Sequence, residues 1–232
     1  MSIRAAALLS FLAAAIVCGC SSAPSENAPP PEPAAAKEEE PPEPPADAPL
    51  IVAFGDSLTE GYGLRRDESY PAVLERELRR RGLEFRVVNE GVSGDTTATA
   101  LVRVDSAAAR RPAYVVVSLG GNDGLRGLGP DQMEANLRRI IERFQSVGAK
   151  VVLAGMRMPP NFGPDYTQAF ENVYPRLAKE TGAELLPFLL EGVAGDRRLN
   201  QDDGIHPTAE GAAIIARTVA DFLEPILRRD AE

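Results

Sequence analysis

From Leu50 onward the chain alternates short apolar runs with longer amphipathic stretches. The runs Leu50 to Phe54, Phe85 to Val88, Tyr114 to Leu119, Lys150 to Ala154 and Glu184 to Phe188 have strand length and little polar alternation. That is the pattern of parallel strands buried on both faces. Between them lie helical segments of about 11 to 18 residues, with apolar positions at helical spacing. Together they predict an α/β fold: a three-layer α/β/α sandwich around a five-stranded parallel sheet, flavodoxin-like in outline. A helix is expected over Asp131 to Val147, opened by Asp131 and Glu134 as a capping-box-like pair and closed before Gly148. The last helix, Thr208 to about Leu227, places Ile215, Val219, Phe222, Leu223 and Ile226 on one stripe, with Pro225 expected to kink or fray its final turn. No internal repeat and no second domain is evident.

The first fifty residues follow a different pattern. Arg4 precedes an apolar run from Ala5 to Val17, then Cys18, Gly19 and Cys20. The run is short for a bilayer span, and its small-residue exit matches a secretory signal. Residues 21 to 49 are almost entirely Pro, Ala, Ser, Glu and Asp, without an aromatic or β-branched residue. They are expected to form an extended, disordered tether, because such a stretch cannot bury enough apolar area to offset its chain entropy. The folded part is then residues 50–232, long enough for one domain with a proper core.

Of the 232 residues, 44% are hydrophobic and 25% charged, ordinary values for a water-soluble domain. The net charge of −9 leaves no basic footprint for neutralising phosphates, so nucleic acid is not an expected partner. Both cysteines lie in the leader, so neither a domain disulfide, a cysteine nucleophile nor a cysteine-built zinc site is expected. No metal or cofactor is called for.

In an open parallel sheet, ligands bind where strands end and loops lead into helices. Each polar cluster of the chain falls at such an exit. After the first run comes Gly55-Asp56-Ser57-Leu58. Ser57 there can be either a nucleophile, its hydroxyl at the sheet edge, or a helix cap. Its glycine spacing is not that of the G-x-S-x-G elbow. A serine hydroxyl needs a base, and His206 is the one histidine of the chain. His206 could alternatively be a polar cap before the last helix, with Pro207 as its first residue. Asp203, three residues earlier across Gly204, can fold back to orient the imidazole, and Asp202 competes for that role. Gly94, in Ser93-Gly94-Asp95, can expose its N–H at a helix start, and Asn122, in Gly120-Gly121-Asn122-Asp123, can point its amide into the same space. Each could otherwise be turn chemistry. Leu125, Leu128, Met158 and Phe162 either line an acyl groove or merely pack their loops, and the glycines at 124, 127 and 129 suit a mobile lid.

In this order, Gly55-Asp56-Ser57-Leu58, Ser93-Gly94-Asp95, Gly120-x-Asn122-Asp123 and Asp203-x-x-His206 resemble the SGNH/GDSL hydrolase family over about Leu50 to Leu227. The segments 121–127, 161–163, 174–180 and 201–207 look like its branch of bacterial periplasmic multifunctional thioesterases, also described as lysophospholipases and arylesterases. The resemblance implies that Ser57 attacks an acyl carbon, His206 takes the proton and Asp203 orients His206. The N–H groups of Ser57 and Gly94 and the amide of Asn122 would hold the oxyanion. Asp56 and Asp123 would organise loops. The expected substrate is a small-molecule or lipid acyl ester or thioester.

Two alternatives stay open: deacetylation of carbohydrate by the same residues, and a tethered binding lipoprotein without turnover. Val17-Cys18-Gly19-Cys20 also resembles a bacterial lipobox, which implies diacylglycerol on Cys20 and membrane contact through it. Ser21 and Ser22 look like an outer-membrane sorting context, which implies a periplasmic, membrane-anchored enzyme.

Overall fold

Backbone pairing follows from the buried β-branched runs. A computed structural model of the chain describes residues 42–231. The expected leader over 1–20, the lipidation site at Cys20 and the tether up to residue 41 lie outside the described residues. Five strands, β1 (Leu50–Gly55), β2 (Arg86–Gly91), β3 (Tyr114–Ser118), β4 (Lys150–Ala154) and β5 (Glu184–Leu186), form one sheet in the order β2-β1-β3-β4-β5, every pair parallel. Val52 is flanked by Val88 on one side and Val115 on the other, and all five residues of β3 are buried. Sequential crossovers run to one side of β1 and then to the other, so the switch point lies between the carboxyl ends of β1 and β3. Ligand crevices form at that place in sheets of this order.

The helices are α1 (Ser57–Glu60), α2 (Tyr70–Arg80), α3 (Thr97–Ala108), α4 (Gly121–Leu125), α5 (Pro130–Ser146), α6 (Pro164–Glu171), α7 (Val173–Thr181) and α8 (Ala209–Ala231). In α5, Met133, Leu137, Ile140, Ile141 and Phe144 form one buried stripe, and Phe144 meets Phe54 of β1 edge to face, their centroids 5.2 Å apart. Helix α2 packs against α8, while α3 packs against α5 and α5 against α7.

Several boundaries differ from expectation. Strand β2 runs three residues further, to Gly91, and β5 ends two residues sooner, at Leu186. Helix α5 starts one residue earlier, with Pro130 at its first position and Gly129 as N-cap. Proline has no N–H to lose there, so the Asp131–Glu134 capping box does not form, and Glu134 instead pairs with Arg138 and Arg176. Helix α8 starts at Ala209, one residue after the expected Thr208, because Pro207 is bridged to Asn200 and Thr208 caps Gly211. It also does not fray at Pro225. Asp221, whose carbonyl has no N–H of residue 225 to accept, is an exposed residue. Beyond the proline, Ile226 and Leu227 are buried and Asp230 accepts a 2.7 Å bond from the Tyr114 hydroxyl.

Candidate active site

The end of β1 descends directly into the turn α1. A Cβ on Gly55 would sit 2.1 Å from Thr59 Oγ1 and 2.6 Å from the Ser118 carbonyl, so only glycine fits between the strand and the turn. Asp56 then caps the turn, its carboxylate accepting the Leu58 N–H at 3.0 Å. Ser57 is left as the first helical residue, with its hydroxyl at the switch point.

His206 arrives from the other end of the chain. The loop 200–207 is closed by the Asn200–Pro207 bridge and by the Gln201 N–H donating to the His206 carbonyl at 2.7 Å. Gly204, at φ +69°, lets this loop double back. Asp203 Oδ1 accepts the N–H groups of Ile205 (2.9 Å) and His206 (3.0 Å), while Oδ2 lies 2.6 Å from His206 Nδ1. His206 Nε2 lies 2.9 Å from Ser57 Oγ. A continuous line of bonds therefore joins the carboxylate of Asp203 to the hydroxyl of Ser57. Asp202 is exposed on the same loop and takes no part in it.

Asn122 comes from the exit of β3. Gly120, at φ +108°, makes the turn into α4, where a Cβ would lie 2.4 Å from the Tyr174 hydroxyl. The Asn122 amide donates to the Asp95 carbonyl at 2.9 Å and more loosely to Asp56 at 3.4 Å. It thereby bridges the residue before Ser57 and the residue after Gly94. Gly94 does not stand at a helix start, as its spacing suggested, because α3 begins three residues later behind Thr96. It lies in the β2–α3 loop at φ +82°, its carbonyl held by Arg126 at 2.9 Å. Asp123 accepts both the N–H (2.8 Å) and the hydroxyl (2.6 Å) of Thr97, fixing the α4 start to the α3 start.

The two carboxyls nearest the imidazole are driven in opposite directions. The bond from His206, helped by the two backbone N–H groups, lowers Asp203 to about 2. Burial raises Asp56, only 3% exposed, to about 6. Asp203 therefore stays charged at any pH where an imidazole can act as base.

Beside this constellation opens a cavity of about 540 Å³. Its apolar wall is supplied by Leu125, Met156, Met158, Phe188, Leu190 and Ile205. Of the expected groove residues, Leu125 and Met158 line it, while Leu128 and Phe162 do not. Phe162 stacks on Tyr166, whose hydroxyl donates to the Leu128 carbonyl at 2.8 Å, so Phe162 packs its own loop, while the Leu128 side chain is exposed. The glycine-rich segment expected as a lid is tied at the same bond and at Leu128 N–H to Asp123 O (2.9 Å). Among the described residues no group of three or more His, Cys, Asp or Glu could hold a metal ion.

Two neighbours were not found by sequence reasoning. Arg103 donates to Asp95 (2.7 Å), to the Glu90 carbonyl (2.8 Å) and to the Gly55 carbonyl (2.8 Å), with its guanidinium 4.2 Å over the Phe54 ring. The available signal was an arginine beside the buried stripe of Ala100, Val104 and Ala107. This side chain ties the ends of β1 and β2 to the loop that carries Gly94. Arg103→Met is expected to destabilise by about 3 kcal/mol, because it leaves the nearly buried Asp95 uncompensated. The check is the urea midpoint at constant m-value, and an unmoved midpoint would deny the bracket any weight. The other neighbour is Tyr62, whose ring lies against His206 with centroids 4.5 Å apart.

The chain matches the model of the GDSL-like Lipase/Acylhydrolase family over residues 53–214. It is 41% identical over 183 residues to Esterase TesA of Pseudomonas aeruginosa, covering 78% of this chain and 91% of that one. To Thioesterase 1/protease 1/lysophospholipase L1 of Escherichia coli it is 38% identical over 187 residues, covering 80% and 88%. Its fold is similar to the crystal structure of TesA, with a TM-score of 0.73 over 76% of this chain and 98% of that one at 41% identity. The SGNH-hydrolase family esterase AlinE4 is similar too, at a TM-score of 0.66, 44% identity and coverage of 78% and 97%.

Proposed function

This chain belongs to the GDSL-like lipase/acylhydrolase family, and on that premise we propose that it hydrolyses carboxylic esters and thioesters of apolar acyl groups through an acyl-enzyme on Ser57. The observation that carries this reading is the line of bonds from Asp203 through His206 to Ser57 at the mouth of an apolar cavity. Relatives named esterase, arylesterase and thioesterase/lysophospholipase support it.

Ser57 Oγ attacks the acyl carbon as its proton passes to His206 Nε2. Asp203 keeps Nδ1 protonated and so leaves Nε2 free to accept. The carbonyl oxygen becomes an oxyanion, received by the N–H groups of Ser57 and Gly94 and by the Asn122 amide. The long Asn122–Asp56 contact leaves one amide hydrogen available for it. As the tetrahedral species collapses, His206 returns the proton to the departing alcohol, phenol or thiol. Water then attacks the acyl-serine with His206 again as base, releasing the acid and restoring the Ser57 hydroxyl. The acyl chain lies along Leu125, Met156, Met158 and Phe188.

The same reading makes the protein a secreted lipoprotein, periplasmic and held at a membrane through Cys20, with residues 21 to 49 as its tether and residues 50–232 as its hydrolase domain. The signal-like run, the lipobox-like cysteine and the composition of the tether support this.

The test is a series of p-nitrophenyl esters and acyl thioesters of rising length, joined to a fluorophosphonate label. Each added methylene is expected to raise kcat/KM about fourfold until the cavity is full, the equivalent of burying one CH₂ group. The label is expected on Ser57. Acetate release from acetylated sugar that outruns every longer ester would transfer the chain to carbohydrate deacetylation.

A further inference from the structure

We propose that Tyr62 is a positioning residue for His206: its ring holds the imidazole in the plane that joins Asp203 to Ser57 and offers a π face to the imidazolium formed during attack. This rests on the reading of His206 as the general base. The two rings lie 4.5 Å apart at a tilt of 39°.

The backbone of Tyr62 is built into both halves of the site. Its N–H donates to the Ser57 carbonyl at 3.0 Å, so it belongs to the nucleophile's own turn. Its carbonyl accepts from Gln201 Nε2 at 2.7 Å, and the same nitrogen donates to the Pro207 carbonyl at 2.9 Å. Gln201 thus clasps the residue that carries the tyrosine ring to the residue after the histidine. On either side Gly61 (φ +87°) and Gly63 (φ +76°) adopt left-handed backbone, and a Cβ on Gly63 would lie 2.5 Å from Gln201 Oε1. The chain is therefore shaped to put this side chain where it is.

Core packing does not explain the ring, which is 52% exposed. Its hydroxyl has no hydrogen bond among the described residues, which leaves the face against His206 as its contact with the site. Two carboxyls also face the imidazole: Asp203 at Nδ1, and the buried Asp56 from the β1–α1 junction. Both attract the imidazolium but neither covers its flat side. An aromatic face does, and it favours the cation over the neutral ring.

The experiment uses the full-length chain without an affinity tag, so that the imidazole ¹⁵N signals come from His206 alone. Tyr62→Leu is expected to lower kcat about tenfold with KM within about twofold, the scale of a lost cation–π contact. The acid limb of the kcat profile should move to lower pH, since the imidazolium becomes harder to form. The ¹⁵N signals of His206 should broaden while keeping the Nδ1–H tautomer that Asp203 holds, as the ring loses its support, and Tyr62→Phe should match the parent in all three readouts. Tyr62→Trp should move the acid limb the opposite way from Tyr62→Leu, a readout that stands even where the leucine variant does not fold. A leucine variant with parental kcat and spectrum overturns the proposal. So does a loss confined to KM, which marks a substrate contact, or a phenylalanine variant as impaired as leucine, which marks a role of the hydroxyl. Fluorophosphonate labelling of the parent chain separates these outcomes from a failure of the serine hydrolase reading itself.

Discussion

Ser57→Ala is expected to lower kcat for a p-nitrophenyl acyl ester by on the order of 10⁵-fold or more, with the thermal midpoint nearly unchanged. The magnitude follows from covalent catalysis being a unit: once the nucleophile is gone, base and orienting carboxylate have nothing to activate, and only oxyanion donors and binding remain. No neighbouring hydroxyl can substitute. Thr59 is buried against the Tyr70 hydroxyl at 3.3 Å, and Ser93 is held by Glu60 on the loop after β2. The stability side is small because Ser57 Oγ donates one bond, to a histidine nitrogen that water can reach when the hydroxyl is removed. The measurement pairs burst and steady-state kinetics with thermal unfolding. Turnover retained within a hundredfold, or a variant that melts many degrees earlier, removes Ser57 from the role of nucleophile.

What the sequence disclosed, and what it hid, divides by distance along the chain. The strands were legible because Val115, Val116 and Val117 form an uninterrupted β-branched run that nothing but a doubly covered strand accommodates. The Asp203–His206 relation was legible because three residues and one glycine suffice to form it. Helix ends were less so: Pro130 displaced Asp131, and α8 continues through Pro225, with Asp221 one turn earlier on the exposed face. Contacts that join remote segments left almost no local trace. Arg103 reaches back 48 positions to Gly55, and Gln201 reaches 139 positions to Tyr62, so neither bracket could be read from its surroundings. The same limit applies to Leu128 and Phe162, whose apolar character suggested a groove although Phe162 packs on nearby Tyr166 and Leu128 is exposed.

Asp203→Asn tests the part of the site in which sequence alone left two aspartates in competition. The Asp203 carboxylate performs two tasks at once: Oδ1 takes the N–H groups of Ile205 and His206, and Oδ2 takes Nδ1–H of the imidazole. An asparagine keeps its carbonyl oxygen toward the two backbone donors and therefore turns its NH₂ toward Nδ1. Nδ1 must then accept, the ring proton moves to Nε2, and the imidazole can no longer take the proton of Ser57. A loss on the order of 10³ in kcat is expected, at the low end for such replacements because the Asp203 side chain is 38% exposed and water competes for the ring. KM should stay near its parental value, since the cavity wall is untouched. Asp202→Asn, one residue away and outside the relay, should leave kcat within about twofold, the ordinary result for an exposed substitution. Stability separates the variants by pH with a defined sign. Held at about 2 in the fold, below its ordinary value, the Asp203 carboxylate stabilises the native state above the ordinary range and loses that contribution as pH falls through about 2. The parent and Asp203→Asn should therefore differ in denaturant midpoint at neutral pH and converge in strong acid. Equal losses from both asparagine variants, or a merely tenfold loss from Asp203→Asn, would mean that the imidazole is oriented by something other than this carboxylate.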